Sequence, residues 1–327
     1  MIQRKARNVV KDWIDNGKDA FLITGARQIG KTYLIRQCLK ESGIPYIELN
    51  FIEQPELVEL FRGAKDVKEL LMRLSLVVKE PLKKGKTILF LDEIQEFKDI
   101  VTRIKFLVEE GSFRYIMSGS LLGVELNDLR SAPVGYMRIY DMYPLDFKEF
   151  AQAAGVHDGT FEQLRVHFKE CTPVDEFVHA KMLDVFYLYL IIGGMPEAVS
   201  TYIETNDLSQ VAQIHNKIIR LYKKDFSKYE HRYKLKLQEI YDAMPGQLDQ
   251  KNKRFQLNSL GKGISYDRVA NDFLWLKDAG VAIPVYNISE PKSPLIISEN
   301  RNLFKLFFSD VGLLTSCYSN QVKVAIL

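Results

Sequence analysis

Along the first 150 residues, short runs of consecutive apolar residues alternate with stretches in which apolar residues recur every three or four positions. AFLIT (20–24), PYIELNF (45–51), TILFLDE (87–93) and RYIMSG (114–119) are of the first kind. YLIRQCLKESG and PELVELFRGAKDVKELLMRLSLVV are of the second. Apolar runs of strand length, separated by amphipathic stretches of helix length, predict a parallel sheet covered on both faces, hence an α/β domain.

From about 151 to 230 the strand-like runs disappear. EFVHAKMLDVFYLYLIIGG and DLSQVAQIHNKIIRLYKKDFSKY predict helices, the first interrupted by Gly193, Gly194 and Pro196. From 231 to 327, short helices lead to SYDRVANDFLWLKDAG, which places Val269, Phe273 and Leu276 on one face with Gly280 past its end. VAIPVY and PLIIS then flank the turn-rich NISEPKS, which predicts a hairpin with a long loop. Helices followed by a hairpin resemble a winged helix. The expected division is 1–150, 151–230 and 231–327.

Composition narrows the class. The chain has 327 residues, enough for two or three cores, with 46% hydrophobic and 27% charged residues, an ordinary globular balance. A formal net charge of +3 does not by itself imply a nucleic-acid binder. Cys38, Cys171 and Cys317 are far apart with no CxxC spacing, so neither a disulfide framework nor a zinc site is expected, and a reducing cytoplasm fits. The N-terminus, MIQRKARNVVKDWI, reads as a basic amphipathic helix without a signal-peptide core. The longest uncharged apolar run, Val185 to Met195, falls short of the ~20 residues of a membrane span, so a soluble internal protein is expected.

Candidate chemistry begins where the first strand ends. GARQIGKTY fits G-x-x-x-x-G-K-[ST] as Gly25, Gly30, Lys31 and Thr32, between one strand and one helix. In such a loop the backbone N–H groups of Gly25, Ala26, Arg27, Gln28, Ile29, Gly30, Lys31, Thr32 and Tyr33 would cradle phosphate oxygens, helped by the positive end of the helix. Lys31 would neutralise the β and γ phosphates, and the Thr32 hydroxyl would ligate Mg²⁺. TILFLDE supplies the second motif. Asp92 would hold Mg²⁺ through water, and Glu93 would orient or deprotonate the attacking water. Glu directly after Asp, and the lack of an Asn-Lys-x-Asp motif in the sequence, favour ATP over GTP. The strand YIM ends in Ser118-Gly119-Ser120, where either serine would sense the γ-phosphate or cap a helix.

GARQIGKT, FLDEIQEF, YIMSGS, YPLDFKEF, IIGGMPEAV and YKKDFSKY, in this order, resemble the prokaryotic AAA-superfamily ATPases of the AAA_14 type that carry a C-terminal DUF4143 region. The resemblance implies an ASCE/AAA-like P-loop NTPase domain of archaeal, STAND-like type, an α-helical domain and a winged-helix-like domain. It implies ATP and Mg²⁺ as cofactors, Gly25 to Thr32 as the Walker A motif, and Asp92 and Glu93 as Walker B. Ala26 stands where the family has proline, a harmless change. Relatives carry Gly-Arg nine residues before the Pro-Leu-x-Phe motif; here Gly135 is followed by Tyr136, so an arginine contribution must come from Arg130 or Arg138 or be absent. Such an arginine is worth ~10³ or more in turnover, so its absence predicts a slow hydrolase or a switch. Relatives also continue into a nuclease-like region that this sequence, ending at Leu327, does not show. By similarity to signal-transduction ATPases, Pro196 of Gly194-Met195-Pro196 would touch the nucleotide; the alternative is a break between packed helices. The expected catalytic set is Lys31, Glu93, Ser118 and Arg138.

Partners are less determined. Residues 217 to 236 carry Lys217, Arg220, Lys223, Lys224, Lys228, Arg232, Lys234 and Lys236, interleaved with Tyr222, Phe226, Tyr229 and Tyr233. Spacings of three and four favour a buried aromatic stripe with a solvated basic side over a phosphate-tracking face. Asp267, Asp272 and Asp278 against Arg268 and Lys277 fit a protein contact better than a DNA groove. The expected function is Mg-dependent ATP hydrolysis coupled to movement of the C-terminal domains. The alternative is a slow nucleotide-controlled switch with a protein or DNA partner. A small-molecule kinase is disfavoured by Glu93.

Overall fold

The computed structural model describes residues 2–78, 81–97, 99–120, 135–229, 234–261 and 263–318. They form two compact units, residues 4–142 and residues 143–327 together with 1–3.

The N-terminal unit is built on a five-stranded sheet. Strands β1 (Ala20–Thr24), β2 (Tyr46–Asn50), β3 (Ile88–Asp92), β4 (Arg114–Ser118) and β5 (Met137–Asp141) lie in the order β2-β3-β4-β1-β5. Every pairing is parallel, as the unbroken apolar runs require. Four strands coincide with the expected runs. The fifth, MRIYD, escapes the sequence pattern because it is a half-exposed edge strand with Arg138 and Asp141 in it. Alternate residues of β1 feed opposite faces. Ala20 and Leu22 join a core with Leu49, Phe51, Phe61 and Phe97. On the other face Trp13 of helix α1 (Lys5–Asn16) stacks on Phe21 with ring centroids 5.9 Å apart. Helices α2 (Lys31–Ser42), α3 (Glu56–Arg62), α4 (Val67–Val77) and α5 (Asp99–Glu110) complete the two layers.

The C-terminal unit is mostly helical. Its elements begin with α6 (Phe147–Ala153), α7 (Asp158–Glu170), α8 (Glu176–Ile192), α9 (Pro196–Thr205), α10 (Leu208–Tyr229) and α11 (Lys234–Asp249). The break between α8 and α9 is tightly packed. Gly193 has φ +70°, and a Cβ on Gly194 would sit 2.0 Å from the Leu145 carbonyl oxygen. Gly194 also accepts from Leu145 N–H and donates to the buried Asp310 carboxylate. In α10, Ile218, Tyr222 and Phe226 are buried, so the described part of the aromatic stripe is core rather than surface. The side chains of Lys228, Tyr229, Arg232, Tyr233, Lys234 and Lys236 lie outside what is described.

Helix α12 (Tyr266–Asp278) buries Val269, Phe273 and Leu276 as its periodicity predicts. Strands β6 (Ala282–Ile288) and β7 (Glu299–Phe308) then pair antiparallel, followed by α13 (Val311–Ser316). The expected second strand, PLIIS, is instead a 3₁₀ turn whose Leu295, Ile296 and Ile297 are exposed. The returning strand is ENRNLFKLFF. Its Phe304, Leu306 and Phe308 alternate inward, and Phe304 meets Phe273 edge-on at 4.9 Å. PLIIS has three consecutive apolar residues and lacks that alternation, so it cannot turn one face to a core and the other to water.

Among the described residues no helix is long and apolar enough to cross a membrane.

Candidate functional site

The loop after β1 needs its glycines. Gly25 has φ +135° and Gly30 φ +89°, and Gly30 is the N-terminal cap of α2. A Cβ on Gly25 would lie 2.1 Å from the Met142 carbonyl oxygen. The loop is pinned from below by the buried Ile29, whose carbonyl accepts from the Arg4 guanidinium at 3.1 Å. No acidic side chain of α2 itself lies in its first turn, so the negative charge facing its positive end comes from Asp92 and Glu93.

Lys31 opens that helix and is 8% exposed. Its ammonium donates to the carbonyls of Gly25 and Ala26 at 2.9 and 2.7 Å. Burial pushes its pKa down to about 8, against the opposing pull of Glu93 and Asp92.

Asp92, at the exit of β3, is buried and gathers donors from three neighbouring segments. The Thr32 hydroxyl lies 3.1 Å from both carboxylate oxygens, and Asn50 Nδ2 donates at 3.2 Å. The Ser118 hydroxyl also donates to Asp92. Burial raises the Asp92 pKa; the Ser118 bond opposes it, the adjacent Glu93 adds to it, and Thr32 opposes it. Strand order explains the gathering. Because β4 lies between β1 and β3, its terminal Ser118 sits between the phosphate-type loop and the acidic pair. Asn50 comes from the other side, in register with Asp92.

Glu93 follows in the left-handed region, φ +56°. Gln95 Nε2 donates to its Oε2 at 2.5 Å, and Gln95 Oε1 accepts from the backbone of Ser120 at 3.2 Å. Ser120 Oγ accepts from Arg27 Nε at 3.2 Å.

The donor set fits a hard, oxygen-loving cation. No group of three or more His, Cys, Asp or Glu residues lies close enough to hold a metal among the described residues. A cation here would therefore take the Thr32 hydroxyl and the Asp92 side, with water and phosphate oxygens filling its shell, which is how Mg²⁺ prefers to bind.

Gly25 to Thr32, Asp92, Glu93, Ser118 and Ser120 are thus brought together. Tyr33 follows them on α2 with its ring 64% exposed. Arg138 is not brought to the loop of its own chain. It pairs with Asp12 at 3.6 Å and Asp19 at 3.5 Å, and it stands opposite Phe21, near the start of β1 rather than its end. Tyr136 accepts Ala20 N–H at that same far end and donates its hydroxyl to Glu109. Arg130 lies outside the described residues. Pro196 is the first residue of α9 in the C-terminal unit. Asn50, Gln95 and the Arg27 side chain are the residues that sequence reasoning missed as chemistry. Asn50 closes the run PYIELNF and Gln95 lies inside FLDEIQEF, but only strand order shows what they face.

Residues 17–151 match the family model AAA_14, described as AAA domain. Residues 183–322 match DUF8612, a domain of unknown function, where the resemblance had implied DUF4143. No curated protein matches the chain. Among solved structures, the chain is similar to the Walker-type ATPase PABY2304 of Pyrococcus abyssi, with 14% identity over 97% of this chain and 96% of that one and a TM-score of 0.57. It also aligns with the Aeropyrum pernix Orc1 protein in complex with DNA, at 13% identity over 99% and 93% of the chains and a TM-score of 0.33. Alignment with AMPPCP-bound DnaA from Aquifex aeolicus gives 12%, 85% and 90%, and 0.39. Only the first is similar enough to indicate a common fold. The N-terminal unit therefore has an α/β fold of the P-loop NTPase kind, and residues 17–151 of the chain resemble an AAA domain.

Proposed function

We propose that the chain binds ATP with Mg²⁺ in the loop between β1 and α2 and hydrolyses it, and that hydrolysis moves the C-terminal unit. The observation that carries this reading is the convergence on Asp92 of Thr32 from the loop, at 3.1 Å, and Ser118 from β4. Two motifs far apart in sequence meet in one buried polar site, beside an ammonium already pointed at the loop.

The residues divide the work. Backbone N–H groups from Ala26 to Tyr33 and the end of α2 would receive the phosphates. Lys31 would offset the negative charge that develops on the transferred phosphoryl group. Thr32 and Asp92 would hold the cation, and Glu93 would orient or deprotonate the water. Magnesium, if bound there, would supply positive charge that offsets the negative charge of the phosphates. Ser118, bonded to Asp92, would report on that end of the site. ATP is preferred to GTP because the sequence has no guanine-reading motif. In the C-terminal unit, the helices up to α11 and a winged-helix-like arrangement of α12, β6 and β7 are read as the moving parts. Pro196, at the start of α9, would be the contact that senses the nucleotide.

One observation favours a second reading, a slow nucleotide-controlled switch with a protein or DNA partner. Tyr136 occupies the position at which relatives carry arginine, and Arg138 is engaged by Asp12 and Asp19. An arginine supplied by another molecule would then set the rate. Steady-state ATP turnover with and without duplex DNA, in wild type, Glu93→Gln and Lys31→Ala, separates the readings. Hydrolysis predicts turnover lost in Glu93→Gln with binding retained, and binding lost in Lys31→Ala. Equal turnover by Glu93→Gln and wild type would refute the base assignment. A switch predicts tight retention of nucleotide and a partner affinity that differs between ADP and ATP forms.

A further inference from the structure

A run of hydrogen bonds links the loop to Glu93 without passing through Asp92. Arg27 Nε donates to Ser120 Oγ at 3.2 Å, Ser120 N–H donates to Gln95 Oε1 at 3.2 Å, and Gln95 Nε2 donates to Glu93 Oε2 at 2.5 Å. The four residues come from three places: the loop, the exit of β4 and the 3₁₀ turn after β3. Gln95 and Ser120 are both buried. A side-chain amide placed between a backbone N–H and a carboxylate has one acceptable orientation, since flipping it would set N–H against N–H and oxygen against oxygen. The direction of the run is therefore fixed by its chemistry. Glu93 itself sits at φ +56°, a conformation that a non-glycine residue keeps only where its surroundings over-determine it.

We infer that Gln95 is a positioning residue that fixes the Glu93 carboxylate for attack, and that Ser120 makes this fixing depend on Arg27 in the phosphate loop. The inference rests on Glu93 being the base. It gives Arg27 a task besides binding: a phosphate oxygen that draws on the guanidinium also draws on Ser120, and through it on the amide that holds the base. Loading of the loop and orientation of the water-activating group are then one event, in a unit whose Arg138 is engaged elsewhere.

The test uses the full chain: steady-state ATP hydrolysis and equilibrium nucleotide binding for wild type, Glu93→Gln, Gln95→Ala, Gln95→Glu and the Glu93→Gln/Gln95→Ala double variant. Glu93→Gln is expected to lower kcat by on the order of 10² or more. Gln95→Ala should lower kcat by about tenfold, with KM and nucleotide affinity within about twofold of wild type, because it acts on geometry at the reacting end alone. Gln95→Glu keeps the shape and the acceptor for Ser120 but sets a carboxylate against Glu93, so it should lose as much; it serves as the reading should the alanine variant fail to bind nucleotide. The double variant should be no slower than Glu93→Gln, since nothing remains for Gln95 to position. Wild-type kcat in both Gln95 variants, with Glu93→Gln inactive, would overturn the relay and leave the base assignment standing. A double variant slower than Glu93→Gln by the full Gln95→Ala factor would make Gln95 merely structural and also overturn it. Undetectable wild-type turnover, or Glu93→Gln as fast as wild type, would remove both.

Discussion

Replacing Gly25 by alanine perturbs the site at the point where the backbone leaves no room. Two costs follow. The first is conformational: φ +135° is a region a Cβ-bearing residue avoids, at ~1–3 kcal/mol. The second is steric. The new Cβ would lie 2.1 Å from the Met142 carbonyl oxygen and 2.8 Å from Ile29 Cδ1, whereas ordinary contact begins at 3.4 Å. The isoleucine tip can turn aside, but the Met142 backbone is tied by its N–H to the Thr24 carbonyl at 2.8 Å, so β1 and the segment after β5 must separate. Overpacking of this kind costs ~1–3 kcal/mol more. Gly43, at the end of α2, supplies the control. It has φ +67° with nothing within 4 Å of an added Cβ, so alanine there bears only the conformational cost, ~1–2 kcal/mol.

Gly25→Ala should therefore be ~1–4 kcal/mol less stable than Gly43→Ala, and it alone should lose nucleotide binding. The assay is equilibrium urea unfolding followed by Trp13 fluorescence, in a Trp275→Phe background that leaves Trp13 as the sole indole. Trp13 is a suitable reporter because it is buried against Phe21 and donates its indole N–H to Asp19 O, all inside the N-terminal unit. Equal midpoints for the two alanine variants, at unchanged m-values, would refute the claim that this glycine is fixed by the approach of Met142.

Lys31 gives a pH signature. Its folded pKa, about 8, lies below the unfolded 10.5, so its protonation opposes folding, and that penalty shrinks as pH rises from about 8 toward 10.5. Between pH 7 and 9.5 wild type should gain about 2 kcal/mol relative to Lys31→Met in urea titrations, and parallel pH profiles would contradict the burial argument. Asp92→Asn removes the carboxylate that Thr32, Asn50 and Ser118 converge on; the Mg²⁺ dependence of nucleotide binding should weaken at least tenfold, read by titrating magnesium at fixed nucleotide. In the C-terminal unit, Phe226→Ala should cost ~3–5 kcal/mol, because the ring is buried between Tyr241 and Trp275 at centroid distances of 5.4 and 5.5 Å; a change below ~1 kcal/mol in thermal or urea unfolding would mean that the stripe is not core.

Local chemistry was enough for much of this molecule. Apolar runs of strand length with helices between them specify a parallel sheet, because only a sheet buried on both faces needs unbroken apolar strands. Gly25, Gly30, Lys31 and Thr32 specify the loop, because their conformational freedom, charge and hydroxyl are properties of the residues themselves. Val269, Phe273 and Leu276 specify the buried face of α12 by spacing alone. Strand order is different. It depends on how crossovers pack across the whole unit, and no local pattern records that β4 enters between β1 and β3. That insertion places Ser118 on Asp92 and Ser120 between Arg27 and Gln95, while β2, on the other edge of β3, brings Asn50 to Asp92. The edge strand β5, half exposed and charged, was hidden for the complementary reason: it lacks the apolar signal that burial imposes. Arg138 shows the limit most sharply, since its charge made it a candidate, and only its register opposite Phe21 committed it to Asp12 and Asp19.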